Sequence, residues 1–321
     1  MIVHVLFENP DWMPPLRRAL AERGLDVREW FLEGGTIDIG ATPPEGIWLN
    51  RMSPSSHTRG HQGGVHLARE LIPWLESKGC RVLNGSRAFA LELSKVRQHT
   101  ALEAAGIRTP RTVAAVGPEH LRAAGRTMAT PFITKDNQGG KGLGVKLFRD
   151  VTSFERYVDS DEYRPGPDGV TLVQQYIEPP AQRITRVEIV GGRYLYAIQS
   201  STAGGFELCP ADACSAGDQF CPTTDAGKPS SKFSLAEGFD DPIVLDYVRF
   251  TREHGLDLAG IEFVEDAAGR KWTYDVNGTT NFSSAVESAN GLDGMGAVAD
   301  LCLRELERAR AGIARPVRNA A

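Results

Sequence analysis

The chain of 321 residues is long enough for two or three domains with sizeable cores, which excludes a small stapled scaffold. Hydrophobic residues make up 41% and charged residues 24%, with a net charge of −5, so a soluble globular protein is expected and nucleic acid is not favoured as a partner. No run approaches the roughly eighteen apolar residues of a membrane span, and five cysteines, an odd number scattered from Cys80 to Cys302, argue against a disulfide framework.

The first residues enter an apolar strand at Ile2 with no basic leader, so a cytoplasmic location and no membrane partner are expected. Residues 2–7, 26–32, 46–52 and 81–84 read as strands, with helical spacing at 15–23 and 64–78 between them. This alternation predicts a small parallel α/β domain, in which ligands gather beyond the carboxyl ends of strands. The loop after the third strand lies there and carries Arg51, His57, Arg59 and His61, a set able to hold a carboxylate or phosphate and equally readable as a solvated polar loop.

Residues 86–105 have helical spacing with a break near Ser94-Lys95, and Gly106 and Pro110 end the helix. A strand at 111–116 and a helix at 118–126 lead to Thr134-Lys135-Asp136-Asn137-Gln138-Gly139-Gly140-Lys141-Gly142-Leu143-Gly144-Val145. Here a lysine ends an apolar run, a glycine-rich loop follows, and alternation resumes at 144–148, so the stretch reads as strand, glycine loop, strand. Glycines at positive φ let backbone N–H groups approach an anion, and the flanking lysines add charge, so phosphate is the expected guest. Walker loops and dinucleotide fingerprints both open a helix and fit poorly; the plain alternative is a tight hairpin with a flexible tip.

Further on, a short helix at 152–158 and a polar connection precede a strand at 171–177. Residues 184–190 and 193–199 form a hairpin through Gly191-Gly192, with Arg186 and Glu188 on one face. Residues 200–237 read as a lid, a binding loop or a disordered segment. Within them Cys209, Cys214 and Cys221 lack a clear fourth zinc ligand, which favours small thiols bracing a lid over a metal site. A helix at 240–254 is followed by strands at 259–264 and 271–276. Asp275 and Asn277, two apart, share a strand face, and an antiparallel neighbour brings Glu262 beside them. Two carboxylates and an amide oxygen suit Mg²⁺, which takes one or two carboxylates together with phosphate oxygens; the alternative is solvated acids on a sheet edge. Asn281, Ser283 and Ser284 occupy a polar loop before a last helix at 296–311.

Taken in order, Lys95 before a helix ending Ala-Gly-Ile-Arg-Thr-Pro, then Pro-Phe-Ile-Thr-Lys with Gln-Gly-Gly-Lys-Gly-Leu-Gly-Val, Val-Gln-Gln-Tyr-Ile, Gly-Ile-Glu-Phe-Val and Tyr-Asp-Val-Asn resemble the ATP-grasp carboxylate–amine ligases, nearest to the RimK-type glutamate ligases. The resemblance is collinear from about Val82 to Glu287, and the N-terminal domain matches only in architecture. It implies an α/β (α+β) ATP-grasp fold: an N-terminal domain at 1–93, a central subdomain with the glycine loop at 94–170, and a C-terminal subdomain with hinge and metal site at 171–321, the last two clasping ATP. Lys95 and Lys135 would contact the nucleotide, and Gln138, Gly139, Gly140, Gly142 and Gly144 would cover its β- and γ-phosphates. Gln175, Tyr176 and Ile177 would read adenine and Glu178 the ribose. Glu262, Asp275 and Asn277 would hold one or two Mg²⁺ ions, or Mn²⁺. Arg186 and Lys141 would serve the transferring phosphoryl group, and Arg51, His57, Arg59, His61, Asn281 and Ser283 the substrates.

Three positions depart from the family pattern: Ile184 stands where aspartate is common, Gln199-Ser200-Ser201 replaces a second arginine, and Asp275 replaces the commoner glutamate. The activity implied is ATP-dependent amide formation through an acyl phosphate, from amino-acid-like small-molecule carboxylate and amine partners, with a homodimer as the default assembly. The alternatives are a cyclising ligase or phosphotransferase of natural-product biosynthesis, and a non-catalytic nucleotide-binding protein. The retained Glu262, Asp275 and Asn277 weigh against the last.

Overall fold

The computed structural model describes residues 2–140, 142, 144–202 and 233–312. The first unit contains β1 (Ile2–Phe7), α1 (Met13–Glu22), β2 (Val27–Phe31), β3 (Gly46–Arg51), α2 (Gln62–Ser77) and β4 (Arg81–Leu83). Its sheet is parallel, in the order β2-β1-β3-β4. The second contains α3 (Ser86–Glu92), α4 (Lys95–Ala104), β5 (Thr112–Val116), α5 (Pro118–Arg126), β6 (Phe132–Asp136), β7 (Lys146–Phe148), α6 (Val151–Val158) and β8 (Val170–Gln175). Here the sheet is antiparallel, β5-β8-β6-β7. The third contains β9 (Arg183–Val190), β10 (Arg193–Ser201), β11 (Phe233–Leu235), α7 (Ile243–His254), β12 (Leu258–Glu265), β13 (Lys271–Asn277), α8 (Ser284–Asn290) and α9 (Gly294–Arg310), with sheet order β11-β10-β9-β12-β13.

The expected break in the first long helix is real. Ser94 takes extended backbone and its hydroxyl accepts the Arg97 N–H at 3.3 Å, which ends α3, caps α4 and makes Lys95 the first residue of α4. Two elements were not expected. α8 lies where a polar loop was read: Ser283 caps it by accepting the Val286 N–H, but Val286 alone is buried, so the stretch carries no helical apolar stripe. β11 has only three residues and pairs with β10 at the sheet edge, too short for alternation to register.

Core packing decides how the units relate. The face of the first sheet carrying Val3, Val5, Ile47 and Leu49 shares one apolar cluster with Val298, Leu301 and Leu306 of α9 and with Tyr196 and Ile198 of β10. Its other face packs on Val65, Ala68 and Ile72 of α2. The antiparallel sheet of the second unit has its own cluster, in which Phe132, Phe148 and Phe154 stack edge to face beneath α5 and α6. The first and third units are thus fused through a common core, and the central sheet is packed separately across a cleft. Among the described residues no helix is long and apolar enough to cross a membrane.

Candidate active site

One cavity lies in that cleft, and elements of all three units line it. Lys95 starts α4 and Lys135 sits near the end of β6; both are buried. The Lys95 ammonium pairs with Asp275 Oδ1 at 2.7 Å, and Lys135 Nζ donates to the Tyr274 carbonyl at 3.3 Å. Burial, reinforced by the Lys95 ammonium, pulls Lys135 down to about 7. Burial also pushes Asp275 up, but the ammoniums of Lys95 and Lys135 outweigh it and hold the carboxyl below its ordinary value.

The acidic cluster is a product of strand register. β12 runs antiparallel to both β9 and β13, so Glu262 stands opposite Asp275 on one side and Arg186 on the other. Arg186 Nη1 reaches Glu262 Oε1 at 2.8 Å, its Nε reaches Glu188 Oε1 at 2.6 Å, and its Nη2 donates to Thr280 Oγ1 at 2.7 Å. The guanidinium lies flat on Gly260, where any Cβ would collide with it. Tyr274 donates its hydroxyl to Glu262 Oε2 at 3.0 Å, and Asn277 Nδ2 approaches Glu262 Oε1 at 3.5 Å. Burial, with Asp275 adding repulsion, raises the Glu262 carboxyl. No trio of His, Cys, Asp and Glu side chains gathers among the described residues, so any metal here would be held by two carboxylates and an amide. That set fits a small hard cation: two oxygen-bearing acids face each other in one cavity, and Lys95 and Arg186 now offset their charge.

The other expected residues divide sharply. Gly139, Gly140, Gly142, Gln175, Tyr176, Ile177 and Asn281 line the cavity with those above. Gly144 takes φ 76° just outside it, and exposed Glu178 does not line it. Gln138 is buried but turned away: its Oε1 accepts from Arg69 Nη2 at 2.8 Å and its Nε2 approaches the Pro54 carbonyl at 3.5 Å, tying the root of the glycine loop to the first unit. Lys141 and the three cysteines Cys209, Cys214 and Cys221 lie outside the described residues.

Arg51, His57, Arg59 and His61 stand beside the cavity as its framework. Arg51 Nη1 donates to the Thr280 carbonyl at 2.7 Å and its Nη2 to Asn281 Oδ1 at 2.5 Å, joining β3 to the loop before α8; burial lowers it to about 10. Arg59 and His61 both hold the fully buried Glu8, at 2.5 and 3.2 Å, and His57 Nδ1 lies 3.3 Å from the Pro54 carbonyl. Ser283 is used as the α8 cap. From this first unit the cavity takes Trp12, Ser53, Pro54 and Ser55 instead.

Two wall residues, Gln174 and Glu92, escaped the sequence reading, as did the role of Glu188 behind them. Gln174 is buried and, among the described residues, its amide oxygen has no hydrogen-bond partner. Glu92, the last residue of α3, is buried in the wall and accepts the Thr279 N–H at 2.9 Å. Burial pushes its carboxyl up to about 7. Glu188, fully buried, fixes Arg186 and accepts from Thr280 Oγ1 at 2.7 Å. Only a buried position in a strand or helix that reads as core could have flagged these acids, and burial is not visible in one sequence.

A RimK-like ATP-grasp domain pattern matches residues 93–208, which contain Lys95, Lys135, the glycine loop and the 174–177 strand end. Over this stretch, somewhat more than a third of its length, the chain is similar to the RimK-like ATP-grasp domains. β-Citrylglutamate synthase B of Danio rerio is 26% identical over 235 residues, 71% of this chain and 52% of that protein, so the chain spans about half the length of that relative. A probable α-L-glutamate ligase of Mannheimia succiniciproducens is 25% identical over 249 residues, 78% of this chain and 72% of its own. A RimK-domain ATP-grasp protein from Sphaerobacter thermophilus superposes with a TM-score of 0.66 at 20% identity, over 94% of this chain and 98% of the other, which shows the shared ATP-grasp fold.

Proposed function

We propose that the chain is an ATP-dependent carboxylate–amine ligase that joins small, amino-acid-like substrates and releases ADP and phosphate. The observation that carries this reading is the meeting of Lys95, Lys135 and the glycine-loop root with Glu262, Asp275 and Asn277 in one cavity, although they come from separately packed sheets. The names of its relatives, a citrylglutamate synthase and a glutamate ligase, support a carboxylate activated for attack by an amine.

In the first step a substrate carboxylate oxygen attacks the γ-phosphorus and the β,γ-bridging oxygen leaves on ADP. In the second, the amine nitrogen attacks the acyl carbon, the carbon–oxygen bond to phosphate breaks, and the amine's proton passes to phosphate and water. Lys95 and Lys135 place positive charge along the phosphates, and Arg186, fixed by Glu188 and Thr280, faces the same space. Gly139, Gly140 and Gly142 line the same cavity, and their backbone N–H groups would bind the phosphates. Gln174 Oε1 and the 175–177 backbone receive the base, whose amino group would supply the donor that buried oxygen lacks. Glu262, Asp275 and Asn277 would hold Mg²⁺, which neutralises charge on the transferring phosphoryl oxygens.

ADP release measured with each amino acid and small carboxylate, singly and in pairs, tests the proposal. ADP formed only when a carboxylate and an amine are both present is the expected result. ADP formed from one substrate with no free amine would identify a kinase or cyclising ligase, and no ADP from any combination would overturn catalysis.

A further inference from the structure

Among the described acids that line the cavity, Glu92 and Asp136 have no cation at ion-pair distance, and of these two only Glu92 is buried. Asp275 has Lys95 and Glu262 has Arg186. Arg51 acts on Glu92 only from a distance, because its guanidinium is engaged by the Thr280 carbonyl and Asn281. The carboxylate is nevertheless built tightly into the wall. Its Oε1 takes the Thr279 N–H, and Oε2 lies against Gly278, where a Cβ would come within 2.5 Å of it. Thr279, which holds Glu92, also donates its hydroxyl to the carbonyl of Met52, the residue before Ser53, and Ser53, Ser55, Thr279 and Asn281 line the same cavity. A buried carboxylate without a counter-ion is costly unless a cation arrives with a ligand.

We propose that Glu92 is the recognition residue for the ammonium group of the acceptor amine, so that the second substrate is an amine that is cationic at neutral pH rather than a neutral nucleophile. The inference rests on the ligase reading and specifies its amine site. The substrate ammonium would sit against Glu92 Oε2 and donate to Ser53 or Ser55, on the side of the cavity from which an acyl group formed near Lys95 can be reached. Before attack the ammonium loses one proton to solvent, and the second leaves with phosphate.

Glu92→Gln tests this, because the amide oxygen still accepts the Thr279 N–H while the charge is gone. ADP release is measured in wild type and variant with the active carboxylate, using the amino-acid amine returned by the screen and hydroxylamine, which is largely uncharged at neutral pH. A charge-assisted hydrogen bond lost at a buried site predicts an amine KM raised about tenfold or more, a loss at least several-fold greater than with hydroxylamine. Glu92→Asp, which keeps the charge, should return part of the selectivity. An unchanged amine KM, equal losses with both nucleophiles, or a raised magnesium requirement in place of a raised amine KM would overturn the assignment. If wild type releases no ADP with any pair, the ligase reading itself fails; if wild type turns over and Glu92→Gln keeps wild-type selectivity, only the Glu92 assignment fails.

Discussion

Lys135 carries the clearest consequence at the scale of single residues. Its ammonium is buried beside Lys95, which is why it titrates near 7 in the free protein, and the phosphates of a nucleotide would restore its charge. Nucleotide binding at a pH above about 7 should therefore take up a proton, measurable by calorimetry in buffers of different ionisation enthalpy. Lys135→Ala should abolish that uptake and weaken nucleotide binding about 100-fold, with an unchanged or slightly higher Tm because a desolvated charge is removed. Glu92 predicts a pH-dependent stability. Its folded value is raised from 4.5 to about 7, so its contribution to folding is fully present below the lower value and is lost as pH rises through the higher. Glu92→Gln does not undergo this loss. Its stability relative to wild type should rise by about 2 kcal/mol between about pH 5 and about pH 8, read from paired denaturation curves.

Among the elements, the joint between β4 and β12 decides whether the cavity keeps its shape. Asn84 follows β4 in left-handed backbone with φ 51°, a conformation asparagine tolerates better than most residues. Its Oδ1 accepts from the N–H groups of Asp257 and Leu258, and its Nδ2 donates to the carbonyls of Leu258 and Gly278. Arg81 adds ion pairs to Asp257 and Glu305 at 2.5 and 2.8 Å. Asn84→Ala leaves four buried backbone groups without that partner, and should cost about 3 kcal/mol or more in chemical denaturation. Because Gly278 adjoins both Asn277 and Glu92, the same change should also impair turnover beyond what the lost stability explains.

For the whole molecule, the first and third units share an apolar core while the central sheet packs on its own, so the cleft between them is the natural line of motion. Gln138, held by Arg69, is one of the ties across that line. A ligand gripping both sides stabilises only the folded, assembled cleft. A non-hydrolysable ATP analogue with Mg²⁺ at 100 times its Kd should add about 2.7 kcal/mol, seen as a Tm shift. Chelating the metal should remove most of that shift if Glu262, Asp275 and Asn277 hold the ion. No shift with nucleotide under any metal condition would contradict the site.

By itself the sequence determined the alternation of strands and helices, the break that presents Lys95, the glycine loop after Lys135, and the strand faces that bring Glu262, Asp275 and Asn277 together. All of these are local: they follow from side-chain period, capping and turn chemistry over spans of a few residues. Tertiary structure decided what those signals could not reach. It turned Gln138 and Arg59 from expected ligand contacts into ties within the framework, because their partners Arg69 and Glu8 lie 69 and 51 residues away in the chain. It placed Glu92 in the cavity wall and Glu188 against Arg186, since burial and the counter-ion each acid meets depend on residues brought in by other elements. In the sequence Glu92 is one more acid in a short helix; in the folded chain it is a buried carboxylate with no cation at ion-pair distance among the described residues, in the wall of the proposed site of amide formation.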